Sequence, residues 1–157
     1  MKIKLITIGT LKEKYLVKAQ EDFLGLILKR AGSGKPNFEL IELKESLTPD
    51  EASPKDIASA LEEEGKKISD IINNKSFNVI LDIHGEKATD NIFSDIVLKA
   101  KNDEIEEINI IIGSSHGLSD ELKRRSNLRI SFSDMTFPHQ LFRIALLDAI
   151  YSQLYKK

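Results

Sequence analysis

Apolar positions along the chain switch between two spacings, short β-branched runs and longer stretches of helical period. Ile3-Lys4-Leu5-Ile6-Thr7-Ile8 reads as a strand ended by Gly9. Residues 11–30 then predict a helix with Tyr15, Ala19, Phe23, Leu24, Ile27 and Leu28 on its apolar side. Gly32-Ser33-Gly34 breaks it before a second strand at residues 38–43. Residues 44–53 have no period and read as a loop. Ser53-Pro54 supplies a hydroxyl cap and a proline at the first helical position. The helix it starts runs to about residue 73, presenting Ile57, Leu61, Ile68 and Ile71. A third strand, Phe77-Asn78-Val79-Ile80-Leu81-Asp82-Ile83, stops near Gly85, and a helix covers residues 91–100. Ile108-Asn109-Ile110-Ile111-Ile112 has the composition of a central parallel strand. Ser119 caps a short helix, and residues 128–132 form a fifth strand. Strand and helix alternate throughout, which predicts one α/β domain over residues 1–157, a mostly parallel sheet with helices on both faces.

The last helix, residues 140–155, is different. Leu141, Phe142, Ile144, Ala145, Leu146, Leu147, Ala149, Ile150 and Leu154 cover more than one face. A helix apolar nearly all round is buried on two sides. A second copy of the chain is the economical cover, so a two-fold homodimer is expected; burial inside one subunit is the other solution.

Composition narrows the classes. The chain has 157 residues, 41% hydrophobic and 31% charged, with eight Gly, four Pro and no Cys. Disulfides, thiolate nucleophiles and Cys-type zinc sites are therefore excluded. Neither a signal-peptide core nor a membrane-length apolar run is present, so a cytoplasmic protein is expected. The net charge of −2 gives no global basic field. Contact with RNA would rest on a local patch, Lys123-Arg124-Arg125 with Arg129 beyond, although such a run also suits a solvated helix end.

Ligands of open α/β sheets sit beyond the carboxyl ends of the strands. Three segments leave such ends: the one containing His84-Gly85, residues 113–117, and residues 131–139. Glycine after a buried strand allows close backbone approach and leaves amides free to donate, but the pattern is neither a P-loop nor a dinucleotide fingerprint. His84, His116 and His139 lack metal-ligand spacing, and no metal is expected. His139, after Pro138, begins the final helix, where the dipole disfavours its protonation.

Ser131-Phe132-Ser133-Asp134-Met135-Thr136-Phe137-Pro138-His139, followed by Gln140-Leu141-Phe142-Arg143, resembles the "S-x-S-x-M-T-F-P-H-Q-x-x-R" signature of RlmH-type SPOUT methyltransferases. Leu81 to Lys87 is similar to their "L-x-x-x-G-K" turn, with Glu86 in the lysine's place. Residues 111–117 resemble their "I-G-G-S-x-G" loop, and Leu11-Lys12-Glu13-Lys14-Tyr15 matches "L-K-E-K-Y". The resemblance implies a trefoil-knotted fold, an obligate homodimer, and methyl transfer from S-adenosylmethionine to N3 of a pseudouridine in 23S rRNA on the assembled ribosome. It implies cofactor contacts from Leu81, Gly113, Phe132, Ser133, Asp134, Met135, Thr136 and Phe137, and makes His139 and Arg143 the catalytic candidates.

Three departures stand beside it. The second glycine of the loop is Ser114, the arginine of the family's "E-Q-x-Y-R-A" is Ser152, and the sequence reads Tyr155-Lys156-Lys157 where the family continues to "Y-H-K". They support an alternative expectation, a weakened relative that binds S-adenosylmethionine or the ribosome without efficient transfer. A generic α/β ligand-binding module is the third reading.

Overall fold

The computed structural model describes residues 1–135 and 137–157. Its elements are β1 (Lys2–Ile8), α1 (Lys14–Leu28), β2 (Asn37–Leu43), α2 (Pro54–Ile71), β3 (Phe77–Lys87), α3 (Ile92–Asn102), β4 (Glu107–Ile112), α4 (Asp120–Arg125), β5 (Leu128–Ser131) and α5 (His139–Ile150). A π-helical turn, Tyr151–Tyr155, prolongs α5. The five strands form one sheet in the order β2-β1-β4-β3-β5, and every neighbouring pair is parallel. All the strands therefore deliver their carboxyl ends to the same edge.

Alternation along the strands divides the core between two faces. Ile3, Leu5, Val79, Ile108 and Ile110 point to one side, under α1, α3 and α5. Ile6, Ile8, Ile80 and Ile111 point to the other, under α2 and α4. A strand buried on both faces has no polar side, which accounts for the isoleucine run of β4. Helix α2 starts as its sequence predicts: Ser53 Oγ accepts from the Asp56 amide at 3.2 Å, and Asp56 accepts from the Ser53 amide at 3.0 Å. Such a reciprocal cap stabilises a helix by about 1 kcal/mol.

Three local expectations are revised. Tyr15 and Leu28, placed on the apolar side of the first helix, are 70% and 55% exposed, and Gln20 is buried instead. The helix starts at Lys14 rather than Leu11, and its buried positions are Leu16, Gln20 and Ile27. Strand β3 does not stop at Gly85. It bulges out between Leu81 and Glu86, then pairs again with β5 through Glu86↔Ile130 and Lys87↔Ser131. A Cβ on Gly85 would lie 2.6 Å from the Arg129 carbonyl, so only glycine lets the strand return.

Helix α5 buries Leu146, Leu147 and Ile150 against the sheet, with Arg143 in the same row, and leaves Leu141 44% exposed. Arg143 is the tie. Its guanidinium donates to Glu42 on β2 (2.7 Å), to Gln20 on α1 (3.4 Å) and to the Gly9 carbonyl after β1 (3.0 Å). The π-helical turn is held in turn by Tyr155, fully buried edge-on to Phe38 with its hydroxyl donating to the Pro36 carbonyl at 3.0 Å. Arg30 and Lys35 donate to the carbonyls of Tyr155 and Leu154. Among the described residues, no helix is long and apolar enough to cross a membrane.

Tyr155→Phe is expected to lower stability by about 1–2 kcal/mol, since it leaves the Pro36 carbonyl unpaired. Tyr155→Ala, which also opens a cavity, is expected to cost about 3–5 kcal/mol. Urea midpoints with unchanged slope check both values; an unchanged midpoint in Tyr155→Phe would mean that the hydroxyl contributes nothing.

Candidate functional site

A cavity of about 570 Å³ opens at the carboxyl edge of β4, β3 and β5. Its walls are the β3 bulge, the loop after β4, the segment after β5, and His139 and Phe142 from the first turn of α5. Each wall has a local cause. In the bulge, Asp82 is held by the His84 amide (3.0 Å) and by the Arg129 guanidinium (2.8 Å). Burial pushes the Asp82 carboxyl up, but the His84 amide, Arg129 and nearby Lys123 outweigh it and leave its pKa below the ordinary value.

The loop after β4 is shaped by absent side chains. A Cβ on Gly113 would stand 2.2 Å from the Gly117 carbonyl oxygen, and Gly117 itself has φ +91°. The Gly117 amide donates to the Ser114 carbonyl at 2.9 Å, closing a tight turn that places main chain against the cavity. The third wall is anchored by Phe132, whose ring lies 5.4 Å from Phe142 and 6.1 Å from Phe93, centre to centre. Ser131 Oγ donates to the Ser133 carbonyl and Ser133 Oγ accepts from the Met135 amide, so the segment folds back on itself.

Most of the residues singled out in the sequence meet here. Leu81, Gly113, Phe132, Ser133, Met135, Phe137 and His139 line the cavity, and so does Lys123. Asp134 does not: it pairs with Lys87 at 3.2 Å, with both side chains exposed. Thr136 lies outside the described residues. Arg143 points away, with its donors on Glu42, Gln20 and Gly9. Of the basic patch, Arg129 is committed to Asp82, Arg125 donates to Ser69 at 3.2 Å, and Arg124 is exposed.

His139 is half-buried. Burial and the neighbouring Arg143 charge push its pKa down, against Glu45 and the Gly113 backbone, so the imidazole is neutral near pH 7. Two carboxylates were not foreseen as site residues. Asp82 reads as the polar end of a strand. Glu64 closes the acidic run Glu62-Glu63-Glu64, and its only signal is register, four residues before buried Ile68.

Comparison with known proteins fits this architecture. The family model described as "Predicted SPOUT methyltransferase" matches residues 1–155. The chain belongs to the SPOUT methyltransferase family. Similar SPOUT proteins include the ribosomal RNA large subunit methyltransferases H of Caldicellulosiruptor bescii and Lactococcus lactis subsp. cremoris. The first is 42% identical over 152 residues, covering 97% of this chain and 93% of the relative. The second is 42% identical over 151 residues, 96% and 92% respectively. The protein of the same name from Streptococcus gordonii is 38% identical over 151 residues, again 96% and 92%. The five-stranded parallel sheet with helices on both faces agrees with the SPOUT fold class expected from the sequence motifs.

The depressed Asp82 pKa stabilises the fold above the ordinary carboxylate range, and that contribution is lost as pH falls through the lowered value. Asp82→Asn is therefore expected to flatten the acid limb of a stability-against-pH curve below about pH 4. An acid limb as steep as that of the parent would show that Arg129 does not hold this carboxylate.

Proposed function

We propose that residues 1–157 act as a single SPOUT domain that transfers a methyl group from S-adenosylmethionine to N3 of a pseudouridine in 23S rRNA on the assembled ribosome. The observation that carries this reading is the cavity. Its volume falls within the roughly 300–1,000 Å³ of small-molecule sites, and its wall after β4 is a turn through Gly113 and Gly117. The residues present fit the cofactor. The turn at 113–117 offers backbone amides and carbonyls without obstructing Cβ atoms, and Leu81, Phe132 and Phe137 give apolar surface for a nucleoside. When bound, S-adenosylmethionine supplies an electrophilic methyl group on sulfonium sulfur.

The chain's own part is alignment, exclusion of water and management of one proton. Methylation of the base at an imide nitrogen would require that nitrogen to give up its proton. We assign its acceptance to His139, and the neutral imidazole on the cavity wall supports that role. Arg143 acts through geometry, holding the first turns of α5 to the sheet. Lys123, Arg124, Arg125 and Arg129 are proposed as the rRNA-facing cations, and Lys123 also lines the cavity. The names of the relatives support a ribosomal substrate. The reading includes the family's trefoil knot, a cytoplasmic location and a two-fold homodimer. Exposed Leu141, Phe137 and Met135 give that dimer an apolar contact surface.

The direct test is transfer of labelled methyl to ribosomes lacking the modification, with cofactor binding measured on the same sample. Labelling at N3 is expected. Binding without labelling would favour the weakened relative, and absence of both would remove the methyltransferase reading. His139→Gln is expected to lower transfer by about 10²–10⁴-fold while cofactor affinity changes little. Gly113→Ala is expected to weaken the cofactor instead, because its methyl group meets the Gly117 carbonyl.

Charge reversal of Arg124 and Arg125 is expected to weaken ribosome binding and to reduce its salt dependence. An unchanged salt series would dismiss that contact. In sedimentation, Leu141→Glu is expected to shift a dimer toward monomer; a parent that is already monomeric at micromolar concentration would sink the dimer.

A further inference from the structure

Glu64 has no part in the transfer just described, yet it is 3% exposed and sits directly behind the cavity wall. Its carboxylate accepts from the Ser46 amide, in the loop between β2 and α2, at 3.0 Å. The Ser114 hydroxyl, in the loop after β4, faces the same carboxylate, and Ser114 is itself 5% exposed. The next residue, Gly65, has no space for a side chain, since a Cβ there would lie 2.7 Å from Ser119 Oγ, the cap of α4. Helix α2 is thus pressed against both ends of the segment 114–119. A buried carboxylate carries a desolvation cost of several kcal/mol unless its partners compensate, and burial does push its pKa above the ordinary range, with Ser46, Ser114 and Lys67 opposing and Glu45 adding.

We propose that Glu64 is a positioning residue, fastening the loops through Ser46 and Ser114 so that the turn at 113–117 stands where its main chain can meet the cofactor. The inference rests on the cofactor reading above for its purpose, but the fastening itself is a property of the chain alone. Geometry locates the assignment. The turn is closed internally by the Gly117 amide on the Ser114 carbonyl, and α2 meets both its flanks, with Glu64 beside Ser114 and Gly65 against Ser119. Ser46 belongs to a second loop that has no strand or helix of its own to order it, and Lys67 Nζ on the Lys44 carbonyl is a further link to α2. One carboxylate therefore couples two loops and a helix at the rear of the cavity.

The test uses the full chain as parent, Glu64→Gln, Glu64→Ala and Ser114→Ala, each at a temperature where circular dichroism shows it folded. Amide hydrogen exchange is followed without cofactor at Ser46 and Gly117, with the β4 amides as internal reference, and S-adenosylmethionine affinity is then measured by calorimetry. Glu64→Ala is expected to speed exchange at Ser46 and Gly117 while β4 stays protected, and to weaken the cofactor by about tenfold, the weight of one charged hydrogen bond. Glu64→Gln keeps an acceptor oxygen and is expected to restore both to near parent values. Ser114→Ala is expected to loosen Gly117 but leave Ser46 protected.

Unchanged loop exchange in Glu64→Ala would overturn the fastening, as would loss of protection in β4 together with the loops. A loosened loop with undiminished affinity would overturn its service to the site. Absence of binding by the parent would remove the cofactor reading, and exchange would still decide whether Glu64 holds the loops.

Discussion

The site depends on one buried cation. Arg143 on α5 reaches α1, the end of β1 and β2 at once, and the residue is 3% exposed. Losing one partner of such a pair typically costs about 3–5 kcal/mol, because the other is left unpaired in a poorly solvated place. Glu42 keeps partial contact with solvent, which moderates that figure here. The consequence is local as much as global. His139 and Phe142, four residues and one residue before Arg143, are the α5 side chains in the cavity wall. Fixing the guanidinium fixes them.

The cavity therefore consists of segments that cannot order themselves, each fastened from behind. Arg143 holds α5, Phe132 wedges the β5 exit between Phe93 and Phe142, and the bulge in β3 is closed by Arg129 on Asp82. The innermost surface, around Gly113, is backbone packed on backbone. A wall of that kind tolerates little rearrangement, since a peptide has no rotamers to adjust.

Much of this was legible in the residues. Alternating strand and helix periods gave the layers, Ser53-Pro54 gave the start of α2, and Gly113 and the run from Ser131 marked the loops that meet. Chemistry that depends on register was harder to see. Glu64 follows two other glutamates and looks like solvated surface. Gly85 reads as the end of a strand because nothing in its neighbourhood announces that Glu86 and Lys87 pair again. Arg143 carries the features of a catalytic residue in sequence, but its partners, Gln20, Glu42 and Gly9, are more than a hundred residues away along the chain. No local pattern could announce them.

The strand order also bears on how the molecule comes into being. Central β4 pairs with β1, joining Ile108 to Ile3, and is made after β1, β2 and β3. A nascent chain leaving the ribosome can form only the β1–β2 pair until residue 107 and beyond has been made. Until then Ile3 and Ile6 have no sheet partner on one edge. Contacts of such wide sequence separation bear their loop-closure entropy before they return any stability, so the β1–β4 pairing is expected to form late. Helix α2, with its self-contained cap, is a segment that can wait in shape.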